Sequence, residues 1–125
     1  MIFGIGTDIV EVSRIEASLS QFGFAFAARI LTADELVGFE TSHTKARFLA
    51  KRFAAKEAFS KAFGTGLRGV VTFQNISVTH DALGKPLLEF SPALQVLMDE
   101  KHICQQHISI SDEKNLAAAF VILET

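Results

Sequence analysis

The stretch Lys51–Gly66, KRFAAKEAFSKAFGTG, decides how the rest of the chain can be arranged. Its alanines, lysines, arginine and phenylalanines favour helix, and it contains no β-branched residue before Phe63. Gly64-Thr-Gly66 then stops the helix, because glycine accepts the left-handed backbone that closes a last turn. Continued upstream, the pattern predicts one long helix over roughly Thr44 to Phe63. At about 100° per residue, Ala46, Ala50, Phe53, Ala54, Glu57 and Lys61 share one side, while Phe48, Phe59 and Phe63 point the opposite way. On a solvent face, Glu57 and Lys61 would be an i,i+4 ion pair worth a few tenths of a kcal/mol. The alanines around them instead invite a second element to pack closely.

Working outward, Phe3–Val12 reads as a strand with Phe3, Ile5 and Ile9 on one side and Gly4, Gly6 and Asp8 on the other. The glycine side leaves room for another backbone to approach beside Asp8. Ser13 is expected to cap a short helix from Arg14 to about Gln21, followed by Phe22, Phe24 and Phe26 around Gly23. Thr32-Ala-Asp-Glu35 matches a capping box that starts a helix to about Glu40. Asn75–His80 and Lys85–Phe90 form an expected hairpin around Asp81–Gly84, and Ser91-Pro92 opens a helix to about Lys101. His107–Ser111 and Leu116–Leu123 form a second hairpin around Asp112–Asn115. The expected fold is α+β: a single domain over residues 1–125, with a mostly antiparallel sheet packed on one long helix.

With 49% apolar and 21% charged residues, the composition is that of a globular chain with no disordered linker. The longest apolar run, Leu116–Leu123, is far short of the roughly 20 residues that cross a bilayer, and no basic segment precedes the apolar N-terminus. The single Cys104 has no partner for an internal disulfide. These features lead us to expect a cytoplasmic protein that does not associate with a membrane. A net charge of −2 argues against nucleic-acid binding. Yet Lys45, Arg47, Lys51, Arg52, Lys56, Lys61 and Arg68 face one acid, Glu57, in that window, while the remainder holds five bases and thirteen acids. Such segregation suits a compact polyanionic ligand.

Asp8, in mid-strand among apolar residues and glycines, needs a partner. A strand laid on the alanine face would bring it to Glu57. Two close carboxylates repel unless a proton or cation is shared, and oxygen ligands without histidine or thiol favour Mg²⁺ with a phosphate-bearing substrate. Lys61 and Arg52 would then counter phosphate charge. His43, His80 and His102 read as ordinary surface residues, whereas His107 shares a strand side with Ser109 and Ser111 and could contact a phosphate or assist proton transfer. No Walker loop, dinucleotide fingerprint or nucleophile elbow is present.

Together, GIGTDIVEVSRIE, RFLAKRFAAKEAFSKAFGTG and HISISDEKNLAAAFVILE resemble the holo-acyl-carrier-protein synthases of the phosphopantetheinyl transferase superfamily, in order and over nearly the whole chain. The resemblance implies transfer of phosphopantetheine from coenzyme A to a serine of an apo acyl carrier protein, releasing adenosine 3′,5′-bisphosphate. It implies that Asp8 and Glu57 hold Mg²⁺ and that Lys61 contacts the pyrophosphate. Glu57 would then be the candidate base, directly or through a water held by the metal. Arg52 and Lys45 would meet the nucleotide phosphates, with His107 and Ser109 beside them, Gly64 near the ligand and Gly84, Lys85 and Pro86 at the adenine. Arg14, Gln21, Phe22 and Arg29 fall in the part that docks the carrier. Glu11 and Glu16 flank Arg14, making that surface less basic than in many relatives. Asp112 stands where many relatives have histidine and receives no role. The resemblance also implies a homotrimer with sites between subunits. Two alternatives stand beside it: a metal-dependent nucleotide phosphohydrolase, using the same two acids and lysine with water as acceptor, and a non-catalytic trimeric domain that binds a partner through its phenylalanines.

Overall fold

The computed structural model describes residues 1–125. Strand β1 (Ile2–Glu11) leads directly into α1 (Val12–Phe22), then α2 (Phe24–Ile30) and α3 (Ala33–Thr41). The long helix α4 (Lys45–Phe63) follows. Next come β2 (Ile76–His80), β3 (Pro86–Phe90), α5 (Pro92–Glu100), β4 (Gln105–Asp112) and β5 (Leu116–Glu124). All strand pairing is antiparallel, but the strands form two sheets, β1-β5-β4 and β2-β3. The expected antiparallel sheet on a long helix is therefore present, in divided form. The side-chain amide of Gln106 links the two parts: Nε2 donates to Leu88 O at 2.7 Å, and Oε1 accepts from Leu88 N at 3.2 Å.

Helix α4 runs between two cores. One gathers Phe59, Phe63, Ile76, Leu88 and Leu94 around its C-terminal half, and the other gathers Ile15, Ile30, Leu31, Phe39 and Leu49 around its N-terminal half. Being buried on several sides, α4 lacks the single apolar stripe of a surface helix. It ends as its glycine predicts, with Gly64 left-handed at φ 97° and its N–H bonded to Ser60 O.

Three local readings change. Ser13 does not cap α1; the helix starts at Val12, with Glu11 in the cap position and no side-chain cap bond. The Phe24–Phe26 segment is part of a helix of its own, α2, separated from α1 by Gly23 at φ 63°. Lys56, counted among the bases that suit a polyanionic ligand, has no accessible surface. By contrast, Thr32 and Glu35 make the expected capping box, and Ser91 caps α5 with Pro92 in its first turn.

Candidate active site

Strand β1 presses its glycine side onto α4. A Cβ at Gly4 would lie 1.8 Å from Ala62 O, and one at Gly6 would lie 1.9 Å from Ala58 O. Those distances leave room only for hydrogen, so the space beside Asp8 is filled by helix backbone. Two residues beyond Gly6 on the same strand side, Asp8 is met by the side chain of Lys61, which lies between Ala58 and Ala62 on the helix. Lys61 Nζ donates to Asp8 Oδ1 at 3.1 Å and to Thr7 O at 3.0 Å. The ion pair Lys61 makes is thus with Asp8 rather than with Glu57 one turn away. An ammonium has three N–H donors, so the half-exposed Lys61 keeps one for another ligand.

Glu57 lies close enough to Asp8 to feel its charge. Burial first, and the Asp8 carboxylate second, raise the Glu57 pKa above its ordinary value, with Lys61 opposing. The two acids form an oxygen-only donor pair, and nowhere does a group of three His, Cys, Asp or Glu residues gather as a metal cluster. The pair fits a hard cation that completes its shell with water and substrate oxygen, as Mg²⁺ does, and does not fit a closed zinc site.

A second group surrounds Arg52. Together with Lys51, His80, Gly84, Pro86 and Asp112, Arg52 lines a cavity of about 170 Å³. Here the sequence-predicted Arg52 and the Gly84–Pro86 turn come together within one chain. The turn is shaped by Asp81, whose Oδ1 accepts from Leu83 N and Lys85 N, both at 2.9 Å. These backbone bonds lower the Asp81 pKa. His80, read from sequence as an ordinary surface residue, faces this cavity, and burial followed by Arg52 and Lys51 lowers its pKa. The surroundings therefore already carry positive charge without it.

Several bases of the Lys45–Arg68 window have internal partners. Lys56 donates to Glu35 Oε1 and Ile30 O, each at 2.6 Å, and to Phe73 O at 3.1 Å. Arg52 Nε lies 3.5 Å from Glu35 Oε2, and Arg47 Nε lies 3.6 Å from Asp112 Oδ2. The charge offered to a ligand is smaller than the sequence count suggests. Glu35 was legible only as a capping residue; the signal for more was Lys56, a cation set among alanines in need of a buried partner.

The remaining expected residues are dispersed. Lys45 lies at the start of α4 beside a cavity of about 520 Å³, where its ammonium donates to Ser42 O at 2.9 Å. Gly64 is exposed just past α4. Arg14, Gln21 and Phe22 are exposed on α1 and Arg29 on α2, and Arg14 lies 3.9 Å from Glu11. His107 and Ser109 pair with Ile122 and Phe120 on the outer side of the three-stranded sheet, opposite the side on which Asp8 faces α4. His107 Nε2 is 2.6 Å from Glu124 Oε1. In one chain, these two residues do not join the Asp8 group.

The family model of the 4′-phosphopantetheinyl transferase superfamily matches residues 4–121. The chain is 56% identical, over 99% of both chains, to a holo-acyl-carrier-protein synthase of Nitrosospira multiformis. Its structure is similar to that of the holo-acyl-carrier-protein synthase from Neisseria meningitidis, with a TM-score of 0.97, 52% identity and full coverage of both chains. It is also similar to the Bacillus anthracis synthase in complex with CoA (3′,5′-ADP), with a TM-score of 0.83, 42% identity, and coverage of 100% of this chain and 98% of that one.

Proposed function

Because the chain belongs to the 4′-phosphopantetheinyl transferase superfamily, we propose that it transfers phosphopantetheine from coenzyme A to a serine hydroxyl of an apo acyl carrier protein. The observation that carries this reading is the convergence of Asp8, Glu57 and Lys61 where a glycine strand meets the alanine face of α4. Asp8 and Glu57 would hold Mg²⁺, which when bound supplies a positive charge that offsets the pyrophosphate and the charge developing on its oxygens. Lys61 directs its third N–H at the pyrophosphate and stabilises the departing phosphate. Glu57, directly or through a water, accepts the serine proton. The serine oxygen forms a bond to the β-phosphorus as the bond from that phosphorus to the bridging oxygen breaks, and adenosine 3′,5′-bisphosphate leaves. Arg52 and Lys45 meet the nucleotide phosphates, with Gly84–Pro86 at the adenine, while Arg14, Gln21, Phe22 and Arg29 offer the exposed docking surface.

The working assembly in this proposal is a cytoplasmic homotrimer. On the outer face of β1-β5-β4, Ile5, Ile9, Leu116 and Phe120 are exposed, Ile9 by as much as 67%. Such a contiguous apolar face is expected to be covered by another protein surface. His107 and Ser109 lie on the same face, so a subunit packed there would carry its nucleotide to them. No helix is long and apolar enough to cross a membrane.

The test is to incubate the protein with coenzyme A, Mg²⁺ and apo carrier proteins, with and without chelator, and weigh the carrier. A gain of one phosphopantetheine that disappears with chelator is expected. An unmodified carrier across several candidates would sink the transferase, and coenzyme A hydrolysis without a carrier adduct would indicate a phosphohydrolase.

A further inference from the structure

Glu35 is almost fully buried and far in role from the Asp8 cluster, yet both its oxygens are committed. Oε1 accepts from Thr32 N at 2.9 Å and from Lys56 Nζ at 2.6 Å. Oε2 accepts from Val78 N at 2.9 Å and lies 3.5 Å from Arg52 Nε. One carboxylate thus stands between two cations on successive turns of α4, leaving a net charge of one. Lys56 cannot present that charge to a ligand, since it is buried and all three of its donors have acceptors.

The surplus therefore resides on Arg52. Its guanidinium carbon sits 3.7 Å above the Phe48 ring, so the ring covers one face, while Glu35 Oε2 faces the Nε edge at 3.5 Å as an ion pair that does not close a hydrogen bond. Between these two neighbours, Arg52 lines the cavity that it shares with Lys51, His80, Gly84 and Asp112, and Asp112 is itself paired with Arg47. Without Glu35, Arg52 would face the Lys56 charge alone. Lys56 has no route to water, whereas Arg52 could relieve the repulsion by swinging outward.

We infer that Glu35 is a positioning residue for the co-substrate: by neutralising Lys56 and attracting Arg52 across the 3.5 Å ion pair, it keeps in place the guanidinium on which the phosphates of coenzyme A dock. The identity of the anion rests on the transferase reading.

A double-mutant cycle of Glu35→Gln and Arg52→Ala tests this, read by calorimetric Kd for coenzyme A and by separate KM values for coenzyme A and the apo carrier. Loss of one oriented charge-assisted contact is expected to raise Kd and KM for coenzyme A about tenfold or more in Glu35→Gln. The carrier KM and kcat at saturating coenzyme A should stay within about twofold of wild type, and Glu35→Gln should add no further loss in the Arg52→Ala background. A loss spread over both substrates, or a full added loss when Arg52 is already alanine, would overturn the inference. If Glu35→Gln fails to fold because Lys56 is stranded, Glu35→Gln combined with Lys56→Met removes that strain and tests the Glu35–Arg52 pairing alone: a smaller rise in Kd that vanishes in the Arg52→Ala background is expected, and no rise overturns the inference. A wild-type chain that binds coenzyme A but modifies no carrier refutes the transferase and leaves the calorimetric cycle readable. A wild-type chain that binds no coenzyme A overturns the inference itself.

Discussion

Replacing Gly6 with alanine tests the contact on which the candidate site is built. The added Cβ would lie 1.9 Å from Ala58 O and 2.6 Å from Ala62 N, whereas real Cβ contacts essentially never fall under 3.0 Å. Strand and helix must therefore separate by about 1.1 Å to clear Ala58 O. Both obstructing atoms are helix backbone, which cannot rotate away as a side chain can. The cost should reach about 3 kcal/mol, the upper end for overpacking, and lower the melting temperature by about 12 °C for a domain of this size. Asp8 is two residues along the strand, so the same displacement should break its 3.1 Å contact with Lys61. Because a misplacement of about 1 Å can cost on the order of 10²-fold in rate, transfer should fall by that factor even at a temperature where the variant is folded. Thermal unfolding by circular dichroism and carrier mass spectrometry are the assays. Gly38→Ala is the control. Its Cβ would lie 3.3 Å from the edge of the Phe48 ring, which can shift, and the gain in helix propensity of up to about 1 kcal/mol offsets the contact. Gly6→Ala with wild-type melting and turnover would refute the argument that β1 lies directly on α4.

Three further perturbations separate charge from packing. In metal-free protein, Glu57→Gln should be more stable than wild type at neutral pH. The raised folded-state pKa means that ionising Glu57 costs stability, so the advantage vanishes below the ordinary carboxylate range, where both side chains are neutral, and grows as pH rises through the raised value. Equal melting curves at every pH would remove the strain assigned to Glu57. Lys61→Met should leave stability within about 1 kcal/mol, since its ammonium end is half-exposed, while lowering kcat by about 10²-fold. An unchanged kcat would deny Lys61 its role. Lys56→Met should cost about 3–5 kcal/mol in urea denaturation by leaving Glu35 without its main counter-charge, and adding Glu35→Gln should recover part of that. Additive losses in the pair would show that the two residues do not act together.

The sequence alone determined whatever depends on local chemistry. Helix propensity and Gly64 placed α4, the Thr32–Glu35 spacing placed a cap, and alternation placed the strands. It also paired the glycine side of β1 with the alanine face of α4, because both lack the bulk that would keep two backbones apart. Local pattern failed at α1, where the chain turns directly from strand into helix without a side-chain cap, and at α2, whose seven residues are too short for periodicity to reveal. Tertiary structure decided the fate of each charge. Asp8 and Lys61 are 53 residues apart, so their 3.1 Å contact exists only once β1 is docked on α4. Lys56 and Glu57 are adjacent in the chain, yet one points into the core toward Glu35 and the other toward Asp8. Successive residues on a helix point about 100° apart, and a helix enclosed by different elements gives each direction a different solvent. Composition can count those cations, but only the packed fold determines which are satisfied internally and which remain for a ligand.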